Sequence, residues 1–186
     1  MLASRAMDHV GNLVLIGAMG AGKSTLAVAL GGLLSLPVRD LDHAIEAASG
    51  VSIGSLFERF GEAHFRAQEH AVLDALLTAV GEIIACGGGV VLAARNRELL
   101  AARAYVVWLD APIALLERRL REDGSRPLLR SPDLGIRLTE LSAQRDPLYA
   151  QVANLRFAVN DAPVIEQAAR LVQLLPNHWT QAMQIV

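Results

Sequence analysis

Short apolar runs alternate along the chain with stretches of helical period. Asn12-Leu13-Val14-Leu15-Ile16, bounded by Gly11 and Gly17, predicts a buried strand over 12–17. Leu26, Leu30, Leu33 and Leu34 then recur at helical spacing and predict a helix over 23–35. Pro37–Asp42 reads as a short strand ending in two acids, followed by a helix over 43–48 that stops at Ser49-Gly50. A short helix over 52–60 would turn Ile53, Leu56, Phe57 and Phe60 to one face, with Gly61 as its breaker. A longer helix to Val80 would bury Phe65, Val72, Leu73, Leu76 and Leu77.

Further strands are expected at 83–86, 105–109 and 155–159, and further helices at 95–102, 113–121, 133–149 and 164–175. Trp108 is expected in the core. Strand–helix alternation of this kind points to a three-layer α/β/α fold with a mostly parallel central sheet. The pattern fails at Glu122-Asp123-Gly124-Ser125-Arg126-Pro127, and residues 122–132 read as a lid within one domain. The expected organisation is an extension at 1–11, a domain at 12–175 and a tail at 176–186.

Between the first strand and helix stands Gly17-Ala18-Met19-Gly20-Ala21-Gly22-Lys23-Ser24-Thr25, which fits G-x-x-x-x-G-K-[ST] at every fixed position. Such a loop turns backbone N–H groups and a helix N-terminus toward phosphates. Gly20, Ala21, Gly22, Lys23, Ser24 and Thr25 are therefore expected to hold a nucleotide triphosphate, with Lys23 as a charge on the outer phosphates and Ser24 as a Mg²⁺ ligand.

Composition narrows the picture a little. The 186 residues carry a formal net charge of −2, which argues against a nucleic-acid surface. No run of 18 apolar residues and no signal peptide is visible, so no membrane association is expected. One cysteine, Cys86, excludes an intramolecular disulfide and fits a cytoplasmic protein; it reads as a buried strand residue rather than a nucleophile. His43, His64, His70 and His178 lack ligand spacing.

Around the loop, Asp40 and Asp42 are two apart, which on a strand places both on one face at the ligand-binding end of the sheet. One acid suits Mg²⁺ and the other an acceptor hydroxyl. Arg66 and Glu69 are helix neighbours, so Glu69 would orient Arg66 toward an anion or form a surface ion pair. Gly87-Gly88-Gly89 after a buried strand suggests close backbone approach to a ligand. Arg126 and Arg145 suit phosphate or carboxylate. Arg5, Arg59, Arg95, Arg97, Arg103 and Arg170 have no pattern around them and are expected to be solvated.

GAMGAGKST at 17–25, DLD at 40–42, GEAHFRAQE at 61–69, GGG at 87–89, RPLL at 126–129 and RDPLY at 145–149 together resemble the shikimate kinases, relatives of the nucleoside monophosphate kinases, over residues 12–175. The resemblance implies a P-loop fold and MgATP-dependent phosphorylation of the 3-hydroxyl of shikimate. It implies that Asp42 binds the ring hydroxyls and acts as base, and that Asp40 lies near Mg²⁺. Arg66 and Arg145 would grip the substrate carboxylate, and Gly87, Gly88 and Gly89 would meet the substrate. Arg126 would be a catalytic lid arginine, and Arg119 and Pro163 the two sides of the adenine slot. A monomer is expected. The competing expectations are another small-molecule kinase, such as a gluconate kinase, or a non-catalytic sensor of the same build.

Overall fold

A computed structural model of the chain describes residues 11–122, 133–177 and 179. Residues 1–10, most of the expected lid with Arg126, and the tail apart from 176, 177 and 179 lie outside the described residues.

Five parallel strands form one sheet in the order β2-β3-β1-β4-β5. They are β1 (Asn12–Gly17), β2 (Val38–Asp40), β3 (Ile83–Ala85), β4 (Ala104–Asp110) and β5 (Leu155–Ala158). β1 is central and buried throughout, which is why its sequence runs apolar without alternation. Its side chains divide between two cores. Leu13 and Leu15 pack with α1 (Lys23–Leu34) and α7 (Val164–Leu174), while Val14 and Ile16 pack with α2 (Leu41–Ser49), α3 (Ile53–Leu76) and α4 (Ala94–Arg103). Helices cover both faces, giving the expected three layers. α5 (Ile113–Glu122) completes the first core. α6 (Leu134–Val152) contributes Leu134 and Leu138 to one core and Tyr149 and Val152 to the other.

Several boundaries differ from the expected ones for identifiable reasons. β2 stops at Asp40 because the Asp40 carboxylate caps α2, which therefore starts at Leu41 rather than 43. Asp40 and Asp42 thus do not share a strand face. Gly61 (φ 79°, ψ 173°), the expected breaker, is non-helical within α3, so two helical segments meet there at a kink. α3 ends at Leu76, short of Val80, where the Asn12 side-chain amide reaches the Ala79 carbonyl at 2.7 Å. That same side chain accepts from Glu82 N at 3.0 Å, so this buried amide ties the end of α3 to the approach of β3. α6 continues three residues past the expected end and buries Val152. A one-turn 3₁₀ helix at Val90–Leu92 had no sequence signal.

The expected apolar face at 52–60 is only partly buried. Leu56 is in the core, whereas Phe57 lines the cleft against Phe65 and Phe60 is half exposed. Trp108 is buried as expected. Trp179, beyond the expected helices, also enters the core beside α1 and α7 residues. No helix among the described residues is long and apolar enough to cross a membrane.

Candidate active site

Parallel strands bring the C-terminal ends of β1, β2 and β3 to one edge. α1 leaves β1 on one face of the sheet and α4 follows β3 on the other, so a crevice opens between these neighbouring strands. A cleft of about 830 Å³ occupies that edge. Gly20, Ala21, Gly22, Lys23, Ser24, Thr25, Asp40, Asp42, Arg66, Gly87, Gly88, Gly89, Arg119 and Arg145 all line it.

The phosphate loop forms because Gly22 takes a left-handed backbone (φ 88°) as the N-cap of α1, a conformation a Cβ disfavours. No side chain caps α1, which leaves its first N–H groups for an anion. Lys23 Nζ donates to the carbonyls of Gly17 and Ala18 at 3.0 and 2.8 Å, so its charge is held over the loop. Ser24 Oγ donates to Asp40 Oδ2 at 2.6 Å. Asp40 Oδ1 meanwhile accepts from Asp42 N and His43 N, at 3.0 and 3.3 Å. One carboxylate therefore caps a helix and meets the phosphate-loop hydroxyl at once. Asp42, in the first turn of α2, lies against Gly87.

The three glycines are explained by space rather than by backbone angle, since none has positive φ. A Cβ at Gly87 would stand 2.7 Å from Asp42 Oδ1, and one at Gly89 would stand 2.7 Å from Arg66 Nη2. At Gly88 it would meet Gly17 O and Met19 N at 3.3 Å. The expectation was approach to a ligand; the structure adds approach to the side chains and loop that make the site.

Arg66 and Glu69 are not a surface pair. Glu69 is almost fully buried, and Arg66 Nη1 donates to both its oxygens at 2.9 Å and to Gly89 O at 3.3 Å. Burial raises the Glu69 carboxyl above its ordinary value, with the Arg66 guanidinium opposing the rise. Arg66 Nε and Nη2 also reach the exposed Glu62 at 3.3 Å. Across the glycine loop, Arg145 Nη1 donates to Gly88 O at 3.4 Å, and its buried Nε has no hydrogen-bond partner among the described residues.

Arg119 reaches the carbonyls of Gly20 and Ala21 at 3.4 Å and Asn160 O at 3.2 Å, bridging the phosphate loop to the segment after β5. Pro163 is the N-cap of α7, and its neighbours Ala162 and Val164 line the cleft. Gln167 holds that segment through Asn160 O and Ala162 O.

A shikimate kinase family model matches residues 19–176. The chain belongs to the shikimate kinase family. It is 46% identical over 163 residues to the shikimate kinase of Halorhodospira halophila, covering 88% of this chain and 92% of the relative. It is 42% identical over 170 residues to that of Pseudomonas syringae pv. tomato, covering 89% and 99%. Among solved structures it is similar to the shikimate kinase from Acinetobacter baumannii in complex with shikimate, with a TM-score of 0.83 and 38% identity over 92% of this chain and 96% of that one. A gluconokinase from Sinorhizobium meliloti, 17% identical with a TM-score of 0.59, shares the fold alone.

Two site residues escaped the sequence reading. Tyr149 donates to Gly88 O at 2.5 Å and is buried, which pushes its phenol up to about 12. It stands four residues after Arg145, so helical spacing was the available signal. Asn96, fully buried, donates to Glu69 Oε2 at 3.3 Å and to Val90 O at 3.0 Å. No motif marks it. Some arginines expected to be solvated are also engaged. Arg97 donates to Val91 O at 2.7 Å, Arg95 to Arg66 O at 3.0 Å, and Arg103 pairs with Asp74 at 2.7 Å. Arg170 lies over the Phe157 ring. Cys86 is buried, and burial raises its thiol far above the ordinary value, which removes it as a nucleophile.

Proposed function

We propose that this cleft transfers the γ-phosphoryl group of ATP to the 3-hydroxyl of shikimate, giving shikimate 3-phosphate and ADP. The carrying observation is the arrangement around the glycine loop: Arg66 at Gly89, Arg145 at Gly88 and Asp42 at Gly87, all opposite a complete phosphate loop. Two guanidinium groups suit a carboxylate, and an adjacent carboxylate suits a hydroxyl.

In this reading the backbone of the phosphate loop and Lys23 hold the β- and γ-phosphates, and the Arg119 guanidinium and the Pro163 segment flank the adenine. Arg66 and Arg145 orient the substrate by its carboxylate. Asp42 accepts the hydroxyl proton as the oxygen bonds to the γ-phosphorus and the bond to ADP breaks. Ser24 Oγ and Asp40 Oδ2 are hard oxygen donors 2.6 Å apart, a set that fits Mg²⁺. Ser24 would ligate the ion and Asp40 would hold it through water. An ion held there would neutralise charge on the phosphates. Arg126 remains the proposed lid residue, outside the described region.

A gluconate kinase reading has only shared fold behind it, whereas the family match and the relatives at 46% and 42% identity are shikimate kinases. A non-catalytic sensor has no need of Lys23, Ser24 and Asp40 together. Coupled ADP release with shikimate and gluconate side by side tests the proposal. Release that depends on shikimate is expected; release with gluconate alone would overturn it.

A further inference from the structure

The carboxylate-reading arginine is held by a closed ring of hydrogen bonds, and one amide completes that ring. Arg66 Nη1 donates to Glu69, Asn96 Nδ2 donates to Glu69 Oε2 and to Val90 O, and Arg66 Nη1 returns to Gly89 O, the carbonyl one residue before Val90. Asn96 is fully buried at the start of α4, on a different element from either Arg66 or the glycine loop.

Both partners of Asn96 Nδ2 are acceptors only, which fixes the orientation of the amide. Its Oδ1 therefore faces the His70 Nδ1 at 2.9 Å, and His70 must carry a proton on that nitrogen. All the hydrogen-bonding groups of the Asn96 amide are thereby used. Glu69 is a buried carboxylate, and such a group is held in place only when its oxygens are well supplied with donors. Asn96 supplies one of them from outside helix α3.

We infer that Asn96 is a positioning residue for substrate recognition: it fixes Glu69, and through it Arg66, in register with the glycine loop that Arg145 also touches. The inference rests on the reading of Arg66 as a carboxylate-binding group. A long arginine side chain that is already held loses less rotamer freedom when the substrate binds. Loosening the ring should therefore weaken the carboxylate contact while leaving the nucleotide side of the cleft unchanged.

The test compares shikimate with its analogue in which the carboxylate is reduced to an alcohol. Calorimetric titration and steady-state kinetics would be run on wild type, Asn96→Ala, Asn96→Asp and His70→Ala. In Asn96→Ala, shikimate binding should weaken by roughly tenfold, as expected for loss of a hydrogen bond to a buried charged group. The alcohol analogue and MgATP should bind as before, so the gap between the two ligands shrinks. Asn96→Asp should be worse than Asn96→Ala for shikimate, because it keeps the shape but faces Glu69 and Val90 O with an acceptor. Equal weakening of both ligands, or no weakening, would reduce Asn96 to a packing role and overturn the proposal. If Asn96→Ala fails to fold, His70→Ala, altered at the half-buried end of the ring, decides by the same criterion. Failure of wild type to distinguish the two ligands would remove the carboxylate reading, and this inference with it; a preserved gap in the folded variants would remove this inference alone.

Discussion

Tyr149 donates a 2.5 Å hydrogen bond to the carbonyl of Gly88, and this bond ties helix α6 to the glycine loop across 61 residues of chain. Burial pushes the phenol up to about 12 from an ordinary value of 10.0, so it remains a donor over the whole neutral range. The folded state holds this proton more tightly than the unfolded chain. The contribution to stability is therefore complete below pH 10 and is lost as pH rises toward 12. That loss is on the order of 2 kcal/mol. Denaturant melts between pH 9 and 12 should show a steeper fall for wild type than for Tyr149→Phe; parallel slopes would reject this account of the tyrosine.

Gly87 and Gly89 stand against different side chains, Asp42 and Arg66. A Cβ at Gly89 would meet Arg66 at 2.7 Å, so Gly89→Ala should displace the guanidinium and raise KM for shikimate by roughly tenfold, with MgATP little affected. At Gly87 the obstacle is Asp42 Oδ1, also at 2.7 Å, so Gly87→Ala should act mainly on kcat. Steady-state kinetics in both substrates checks this, and an equal change in both KM values for either variant would count against it.

Asp40 has two separable tasks. Asp40→Ala removes the cap of α2 at a cost of about 1 kcal/mol as well as the acid beside Ser24. Asp40→Asn keeps a capping oxygen but no charge. The alanine variant should lose both thermal stability and activity. The asparagine variant should melt near wild type yet need more Mg²⁺ for half-maximal activity. A Mg²⁺ titration unchanged in Asp40→Asn would remove the acid from the ion's surroundings.

Lys23 is held over the phosphate loop by the carbonyls of Gly17 and Ala18. Lys23→Ala should lower turnover by on the order of 10²–10³, the usual consequence of deleting one preorganised charge. Near wild-type turnover in the purified variant would contradict its role.

What the sequence made legible was whatever is local. The phosphate loop is contiguous, and Arg66 and Glu69 are three apart on one helix, so both could be read directly. The layered parallel architecture followed less directly, through the alternation of apolar runs and helical periods, while the strand order came only from the structure. Asp40 and Asp42 were misread because a spacing of two suits a strand face and equally a cap followed by a first turn; only the hydrogen bonds to Asp42 N and His43 N separate the cases. The burial of Glu69 and the use of Asn96 were beyond reach, since they depend on α3 and α4 meeting across 27 residues of chain. Phe57 and Phe60 show the same limit: helical period gives a face but not what covers it.

We propose phosphoryl transfer to a hydroxyl of a carboxylate-bearing ring, with Asp42 taking the proton. Phosphorus NMR of a reaction containing shikimate and MgATP tests it most directly, with Asp42→Asn alongside. Wild type should give one new phosphomonoester, on the 3-hydroxyl, in step with ADP, and Asp42→Asn should form it roughly 10²–10⁴-fold more slowly. ADP without a phosphoester on shikimate, or an Asp42→Asn rate equal to wild type, would contradict the account.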